Sequence, residues 1–510
     1  MSFANQKPAK LLQDLGNGSC PFDLVTCSGL RVCYFSILLL FVAGCNTYRV
    51  GGYRAAVPKP PMHQQFAAGV GKADITPPPG YPPGGHSIAA PTSRGQWMRL
   101  MARAFLLRDA NGQTILFISC DLFALPDGLR SKVAKLLADR GLALPPENIV
   151  INATHTHQSQ ANYLSSSIYN RFASNTGGFD RSMLEFLAGQ LANAALAARA
   201  DLNASESLPH RLVLRKGRVC GLTRNRALDA FQHDPIDDQQ EVFNLSSQCE
   251  LPGSGIRYQA VDPTLRIVDI QRQSGNVWLN AATMIFVAVH PTAMSHDTPV
   301  NSPDFTGYAM SVIEKETAEK TSTYTAGFFN GAEGDVSPNW DFQNRRDLIR
   351  LARMLADAVL TSRATLVDDK PVFVAKRRDE RWKDLKRIGI ENPKFGMAAL
   401  GGAEDGRSWL YNAGCNSGAG VDCAPSLGPA SLGISLSRWA KWAQTFENFP
   451  ERIPVSVIQF GSLLDVVAIP FEMTTVAGLR LAKDVSALDS SRDVAIVCLA
   501  NEYLSSLLSG

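Results

Sequence analysis

Two histidines one residue apart, His155 and His157, directly follow the apolar run Ile149–Ala153. On an extended chain, residues two positions apart lie on the same face, so both imidazoles point the same way. Imidazole nitrogens are good zinc ligands, and a catalytic zinc site needs about three protein ligands and one open position. The same pattern also fits two hydrogen-bonded histidines at a strand end. The pair alone therefore leaves both interpretations open.

The elements before this pair predict how it is positioned. Residues 103–107 and Thr114–Cys120 are rich in apolar and β-branched residues and flank an Asp-Ala-Asn-Gly turn, which indicates two strands. Helical spacing over residues 128–140 then leads to the strand Ile149–Ala153. Strand, helix and strand in this order are typical of an α/β protein. We predict a mixed, largely parallel sheet flanked by helices, with the metal site at the carboxyl ends of strands.

Two titratable residues elsewhere in the chain also follow predicted strands. His290 comes directly after the apolar run 281–289, and Glu472 comes three residues after the run 463–469 and opens a predicted helix over 472–485. A lone histidine after a strand is more often a core residue than a ligand. The glycine-rich stretch 377–436 has no clear periodicity and is predicted to be an irregular surface segment.

The overall composition excludes some classes of function. The 510 residues are 45% hydrophobic, which is enough to form a large core. The formal net charge is +3, from 50 basic and 47 acidic residues that are interspersed along the chain. Nucleic acid is therefore not an expected partner.

The N-terminal region predicts export. Arg31 precedes an apolar stretch, residues 32–43, that is short for a transmembrane helix and typical of a signal peptide. The ending Val-Ala-Gly-Cys45 resembles a bacterial lipobox, in which the cysteine is lipidated. We therefore predict a lipoprotein-type signal peptide at 1–45, a flexible tether at 46–65, and a location in the bacterial envelope, at the outer membrane, or outside the cell. The alternatives are an ordinary signal peptide or a short buried helix.

Export changes the interpretation of the cysteines, because disulfides persist in oxidising compartments. Cys415 and Cys423 flank a short Gly/Ala/Ser-rich loop and are predicted to form a disulfide, and Cys220 with Cys249 could form another. Cys120 and Cys498 lie in apolar runs and are predicted to be buried free thiols.

Several blocks from about residue 67 to about residue 505 resemble the neutral, non-lysosomal ceramidase family. The blocks are GVGKADIT (69–76), RLMARAF (99–105), ATHTH (153–157), TRNR (223–226), VHPTAM (289–294), NSPDFTGY (301–308), GDVSPN (334–339) and PFEMTTVAGLR (470–480). The resemblance implies a catalytic domain over 66–510 that cleaves the N-acyl bond of ceramide to sphingosine and fatty acid. The substrate would be a lipid, the cofactor Zn²⁺, and the membrane surface a partner through the lipid anchor.

The resemblance also implies roles for individual residues. The zinc ligands would be His155, His290 and Glu472. His157 would face the substrate, as a proton carrier or a donor to the developing oxyanion.

Two further residues complete the implied set. Ser337 would act as a nucleophile or position the amide, and we favour positioning because zinc already activates a water molecule. Arg226 would hold the head group or a carbonyl oxygen.

The C-terminal end departs from the family pattern. The family's tyrosine ligand falls at Ser506, whereas Tyr503 matches an earlier tyrosine, so Tyr503 or water is expected in the fourth position. The resemblance predicts a truncated C-terminal end without the family's immunoglobulin-like domain. Two alternatives follow: a zinc amidohydrolase of this fold that acts on another N-acyl substrate, or a catalytically impaired ceramidase-like lipoprotein.

Overall fold

Three large β-sheets, two of them covered by helices, make up most of the described part of the chain. A computed structural model describes residues 63, 65–86, 91–164, 170, 175–249, 255–318, 324–381, 452–504 and 506–507. The described strands are β1 (Ala67–Asp74), β2 (Gly95–Gln96), β3 (Met101–Arg108), β4 (Thr114–Cys120), β5 (Ile149–Ala153), β6 (His210–Arg218), β7 (Thr223–Asn225), β8 (Thr264–Ser274), β9 (Val277–Val287), β10 (Val300–Asn301), β11 (Thr325–Asn330), β12 (Val336–Pro338), β13 (Arg363–Asp368), β14 (Phe373–Arg381), β15 (Arg452–Phe460), β16 (Leu464–Ala468), β17 (Glu472–Met473), β18 (Asp493–Val497) and β19 (Ser506–Leu507). The described helices are α1 (Leu129–Asp139), α2 (Arg181–Ser205), α3 (Leu228–Gln232), α4 (Ile236–Ser246), α5 (Ile256–Gln259), α6 (Asp304–Ala318), α7 (Arg345–Thr361) and α8 (Thr475–Leu488).

The first sheet has the order β1-β3-β4-β5, the second β11-β9-β8-β6-β13, and the third β14-β15-β16-β18. Short two-stranded sheets pair β2 with β10, β7 with β12, and β17 with β19. The mixed α/β class is confirmed, and so are the strand and helix assignments around Ile149–Ala153.

The prediction that the sheet is largely parallel was wrong. Each large sheet contains one parallel pair, namely β4 with β5, β9 with β11, and β16 with β18, and its other pairs are antiparallel. Short turns explain the difference, because a chain that reverses over a few residues can form only an antiparallel hairpin. The β8–β9 hairpin turns at Gly275, which has a φ of 60°.

The three sheets share one apolar core. Side chains that meet there include Phe105 and Phe117 of the first sheet, Met284 of the second, and Phe460 and Val466 of the third. Helices α1 and α2 cover the other face of the first sheet, and α6 and α7 cover the other face of the second. The carboxyl ends of the parallel strands are therefore held in a layered, tightly packed frame.

Helix α8 begins later than predicted. Glu472 lies in the short strand β17, and the helix starts at Thr475 after the N-cap Thr474, whose side chain accepts a hydrogen bond from the backbone N–H of Ala477. A threonine at the N-cap satisfies a backbone donor that would otherwise lack a partner, which fixes the start of the helix. Glu472 therefore extends from a strand rather than from the first helical turn.

The segment predicted to be irregular from residue 377 begins as strand. Residues 377–381 belong to β14, which pairs antiparallel with β15. Burial alternates along β14, but residues 376–381 are all charged, so the sequence shows no matching alternation of apolar and polar residues. Residues 382–451, with the predicted Cys415–Cys423 disulfide, lie outside the described residues, as do Cys45 and the predicted signal peptide.

Two of the cysteine predictions fall on described residues. Cys220 and Cys249 form a disulfide, and Cys120 and Cys498 are buried free thiols, so both predictions are confirmed. Among the helices that the structure describes, none has the length and apolar character needed to cross a bilayer.

Candidate metal centre

The candidate metal centre lies where the ends of three strands, one from each large sheet, come together. His155 follows β5, His290 follows β9, and Glu472 follows β16. Two buried asparagines fasten these ends to one another. Asn330 Nδ2 donates to the Thr154 carbonyl at 3.1 Å and to the Val289 carbonyl at 3.0 Å.

The second asparagine reaches the third sheet. Asn152 Nδ2 donates to the Cys498 carbonyl at 2.6 Å, and Asn152 Oδ1 accepts from the Asn330 backbone at 3.3 Å. Both side chains are fully buried. Because a buried amide without partners is costly, these bonds strongly favour one relative placement of the three strand ends.

His155 is held in a fixed orientation. Its backbone adopts the left-handed region with a φ of 74°, which turns the chain away from β5. Its Nδ1 lies 2.6 Å from the Phe123 carbonyl, and the Phe123 ring stacks on the imidazole with centroids 5.2 Å apart. A carbonyl only accepts, so Nδ1 carries the proton and Nε2 keeps its lone pair. That lone pair is directed into the centre.

His290 has the same tautomer for the same reason. Its Nδ1 lies 2.7 Å from the Glu333 carbonyl and 3.2 Å from the Val336 carbonyl. Nε2 is again left as the acceptor. Histidines that bind metals usually donate their other ring N–H in this way, which fixes the ring and its tautomer.

Glu472 completes the set from the opposite side. Its Oε1 lies 3.6 Å from His155 Nε2, and its Oε2 lies 3.3 Å from His290 Nε2. The carboxylate therefore contacts both imidazoles through different oxygens. The structure brings together the three predicted zinc ligands.

Burial sets the protonation states of these groups. The pKa of His155 is lowered to about 3, mainly by burial, and that of His290 to about 4, by burial and by the nearby Arg226. Burial alone would raise the pKa of Glu472, but His155, His290 and Tyr503 outweigh it and hold that pKa well below its usual range. Near neutral pH the centre offers two neutral imidazoles and one carboxylate, which are the forms that bind metal.

His157 lies in the same cluster. Its Nε2 is 3.3 Å from His155 Nε2, and the ligand atoms of His155, His157 and His290 all lie within 4.8 Å of one another. The structure therefore adds His157 to the residues close enough to share an ion, whereas the sequence interpretation kept it off the metal. The ring of His86 packs edge-on against His157, with centroids 5.4 Å apart.

Arg226 contacts the centre directly. Its Nη2 lies 2.8 Å from His290 Nε2, and its Nε and Nη2 donate to the Gly334 carbonyl at 3.2 and 3.0 Å. An ion would use the same His290 lone pair, so Arg226 must release it when an ion binds. The guanidinium is then available at the edge of the site.

Ser337 is buried on β12, next to the residue that holds His290. The backbone of Val336 accepts from the His290 N–H at 3.0 Å, and Ser337 Oγ is buried without a hydrogen-bond partner. A buried hydroxyl without a partner is unusual and suggests that a ligand completes it. The predicted site thus includes a serine with an unused donor.

The sequence left Tyr503 or water for the fourth metal position, and in the structure the Tyr503 side chain contacts Glu472. Its hydroxyl donates to Glu472 Oε1 at 2.6 Å. The backbone at Ser506, where the family tyrosine is expected, pairs with Glu472 through β17 and β19. Tyr503 therefore orients the carboxylate here.

The donor set fits a zinc ion. Two imidazoles with fixed tautomers and one carboxylate are a usual set for catalytic zinc, which leaves a position open for substrate. The Glu472 carboxylate is buried between two imidazoles, and the lone pairs of both imidazoles face it. Because all three groups are acceptors, a cation is the partner that satisfies them together. The residues that would hold it are His155, His290 and Glu472.

Several residues that build the site had no predicted role. Asn152 and Asn330 tie the strand ends, and Asp335 accepts from the Thr475 backbone at 2.7 Å and from Asn225 at 2.9 Å, which anchors the start of α8. The signal for the asparagines was present: a polar residue inside or at the end of an apolar strand must have a partner if it is buried. Their partners are distant in sequence and could not be identified.

Glu333 was also missed. It is fully buried, and burial and the nearby Glu472 raise its pKa well above the usual range, which favours its neutral form. Neutral Glu333 adds no negative charge beside the Glu472 carboxylate.

Comparison with known proteins identifies the family. Residues 66–347, more than half of the chain, match the family described as neutral/alkaline non-lysosomal ceramidase, N-terminal. The neutral ceramidase of Mycobacterium tuberculosis is 26% identical over 462 residues, which cover 82% of this chain and 68% of that protein. The neutral ceramidase of Drosophila melanogaster is 29% identical over 285 residues, which cover 54% of this chain and 36% of that protein. The chain thus spans only part of the length of these relatives.

Solved structures share the fold. A crystal structure of the neutral ceramidase from Pseudomonas aeruginosa has a TM-score of 0.64 and 20% identity, and covers 87% of this chain and 69% of that chain. A ceramidase complexed with C2 has a TM-score of 0.67 and 22% identity over the same shares of the two chains. The chain therefore belongs to the neutral/alkaline non-lysosomal ceramidase family.

Proposed function

We propose that this protein is a zinc-dependent amide hydrolase that cleaves the N-acyl bond of ceramide to give sphingosine and a fatty acid. The observation that carries the proposal is the convergence of His155, His290 and Glu472, with Nε2–oxygen distances of 3.6 and 3.3 Å. Family membership supports the substrate class, because the relatives named above are neutral ceramidases.

The three ligands supply a preorganised site. Zinc, when bound, polarises a carbonyl group and makes water acidic enough to attack near neutral pH. Glu472 contributes one negative charge, and the carbonyls of Phe123 and Glu333 keep His155 and His290 in the ligand tautomer. Because these groups are fixed before substrate arrives, little reorganisation is needed during the reaction.

His157 and Ser337 are the groups that handle protons and charge. His157 Nε2 lies at the centre, where it can accept a proton during attack and return it to the leaving amine. Ser337 Oγ has an unused donor that can bond to the amide and to the oxyanion as charge develops. Arg226, released from His290 Nε2, can hold the carbonyl oxygen or the lipid head group.

We also propose that the protein is exported and anchored to a membrane through a lipid on Cys45, at the outer membrane or otherwise in the envelope. The disulfide between Cys220 and Cys249 supports export, because such bonds persist in oxidising compartments. Mass spectrometry of the membrane fraction tests this proposal. A mature N-terminus elsewhere than Cys45, or no lipid on that residue, would contradict it.

Hydrolysis of a short-chain fluorescent ceramide by the purified protein tests the enzymatic proposal. We expect fatty-acid release that is lost with a chelator and restored by zinc. The matched control is His210→Ala, because His210 is a buried histidine that contacts the Leu208 carbonyl and Arg272 rather than the centre. His290→Ala should lose both zinc and activity, and His210→Ala should keep bound zinc.

Other outcomes distinguish the alternatives. Activity towards other N-acyl lipids without ceramide hydrolysis would indicate an amidohydrolase of different specificity. Full zinc occupancy without hydrolysis of any substrate would refute the enzymatic proposal and indicate an impaired protein.

A further inference from the structure

Phe342 is a large apolar residue held on the surface. Its side chain is 81% exposed, in the loop between β12 and α7. Single exposed apolar residues are common on protein surfaces. Phe342 differs in that hydrogen bonds hold the loop around it and two arginines follow it closely.

Hydrogen bonds to one carboxylate fix the tip of this loop. Asp347 Oδ2 accepts from the backbone N–H of Asp341 at 2.9 Å and from that of Phe342 at 2.7 Å. The next residue, Gln343, adopts a left-handed φ of 48°, and Asn344 then caps α7 by accepting from the Asp347 backbone at 3.1 Å. These bonds fix the backbone on both sides of Phe342, whose side chain is exposed.

The base of the loop is held as well. The Trp340 ring lies under the Arg224 guanidinium, 4.3 Å from its centroid, and the Trp340 carbonyl accepts from Arg224 at 3.0 Å. Arg350 donates to the Asn339 carbonyl at 2.6 Å.

The loop is also connected to the proposed active site. Phe342 lies five residues after Ser337. Gln343 Nε2 donates to the carbonyl of Thr292, which lies two residues after His290, at 3.2 Å. Phe342 is therefore connected to Ser337 along the chain and, through Gln343, to the segment that follows His290. A membrane that contains the substrate could bind at this loop.

The charge next to Phe342 indicates the partner. Arg345 and Arg346, in the first turn of α7, are both exposed. The exposed acid in the loop is Asp341, whereas Asp347 is buried and occupied by the backbone. Arginines at a helix N-terminus are unfavourable for the helix dipole, so the local sequence gives up helix stability to place cations there. An aromatic residue with adjacent cations is typical of proteins that bind anionic bilayer surfaces.

We propose that the loop of residues 339–346 docks the protein onto an anionic lipid bilayer, with Phe342 inserted among the lipids and Arg345 and Arg346 at the phosphate level. This proposal rests on the proposed function, because a hydrolase of ceramide must obtain its substrate from a membrane. The docked surface adjoins the strand that carries Ser337. The proposed lipid anchor would hold the protein near the membrane, and this loop would orient the protein on the membrane surface.

A site-specific fluorescence experiment tests docking without reference to activity. Phe342→Trp adds an indole at the tip, and Leu488→Trp adds one at an equally exposed residue, 86% exposed, at the far end of α8. Full-length proteins are mixed with vesicles of phosphatidylcholine and phosphatidylglycerol that contain a spin-labelled lipid. We expect quenching of the additional emission from Phe342→Trp and little from Leu488→Trp. Equal quenching at both positions, or at neither, would overturn the proposal.

A kinetic comparison links docking to the proposed function. For Phe342→Ala, the rate on long-chain ceramide in the same vesicles, divided by the rate on monomeric short-chain ceramide, should fall about tenfold, the size expected for loss of one inserted aromatic side chain. For Leu488→Ala the ratio should equal that of the wild type. An unchanged ratio for Phe342→Ala would overturn the docking role. If the wild type hydrolyses neither substrate, the proposed function fails, and the quenching experiment still decides the docking proposal.

Discussion

Acid should destabilise the metal-free protein through the buried histidines of the centre, and His155 gives the sharpest test. Its pKa is about 3 in the folded protein, whereas the ordinary pKa of histidine is 6.5. A folded pKa below the unfolded one means that the unfolded chain binds the proton more readily. The stability associated with neutral His155 is thus fully present above pH 6.5 and is lost as the pH falls from 6.5 towards about 3.

The magnitude follows from the size of this window. Each pH unit below the unfolded pKa costs about 1.4 kcal/mol per group, as long as the folded group stays neutral. Between pH 7.5 and 5.0, His155 should therefore lower the free energy of unfolding by about 2 kcal/mol. His290, with a pKa of about 4, should contribute a similar amount over the same interval.

Denaturant unfolding of chelator-treated protein at pH 7.5 and 5.0 measures this loss. His155→Gln keeps a donor for the Phe123 carbonyl but has no group that titrates. The pH-dependent loss should be smaller in His155→Gln than in the wild type by about 2 kcal/mol. An equal loss in both proteins would refute the argument that His155 is buried in its neutral form.

Three further substitutions test the geometry of the centre. Glu472→Gln should abolish stoichiometric zinc binding, whereas Glu333→Gln, at a buried neighbouring residue, should retain it. Loss of zinc from both variants would contradict a specific role of Glu472 in binding the ion. Gly85→Ala should lower activity at least about tenfold with zinc retained, because a Cβ there would lie 2.5 Å from the His157 ring and the φ of 94° disfavours alanine. Full activity in this variant would show that the position of His157 is unimportant. Tyr503→Phe removes the 2.6 Å hydrogen bond to Glu472 and should weaken zinc binding about 10-fold to 100-fold. An unchanged zinc Kd would contradict the orienting role of Tyr503.

The sequence predicted the chemistry of the site better than its framework. His155, His290 and Glu472 each follow an apolar run, and the carboxyl ends of buried strands are where ligands collect in α/β proteins. That rule held although most strand pairs are antiparallel, because each of the three strands next to the centre takes part in the one parallel pair of its sheet. The family resemblance singled out His290 and Glu472, and the strand-end pattern agreed with it without the correct topology.

Other features depended on contacts that local patterns do not contain. Strand direction depends on which strands pair, and that is determined by the packing of distant segments. The roles of Asn152 and Asn330 required knowledge of their partners on other sheets. The position of His157 beside His155 depends on the left-handed turn at His155, where the extended geometry assumed for the pair ends.

The placement of the three ligands on separate sheets determines when an ion can be held. His155 comes early in the sequence and Glu472 comes late, so the last ligand is synthesised after almost all of the sheets. An emerging chain has at most two of the three donors and cannot retain zinc firmly. Metal acquisition should therefore be the final step of maturation, and for an exported protein it would use the ion supply of the destination compartment.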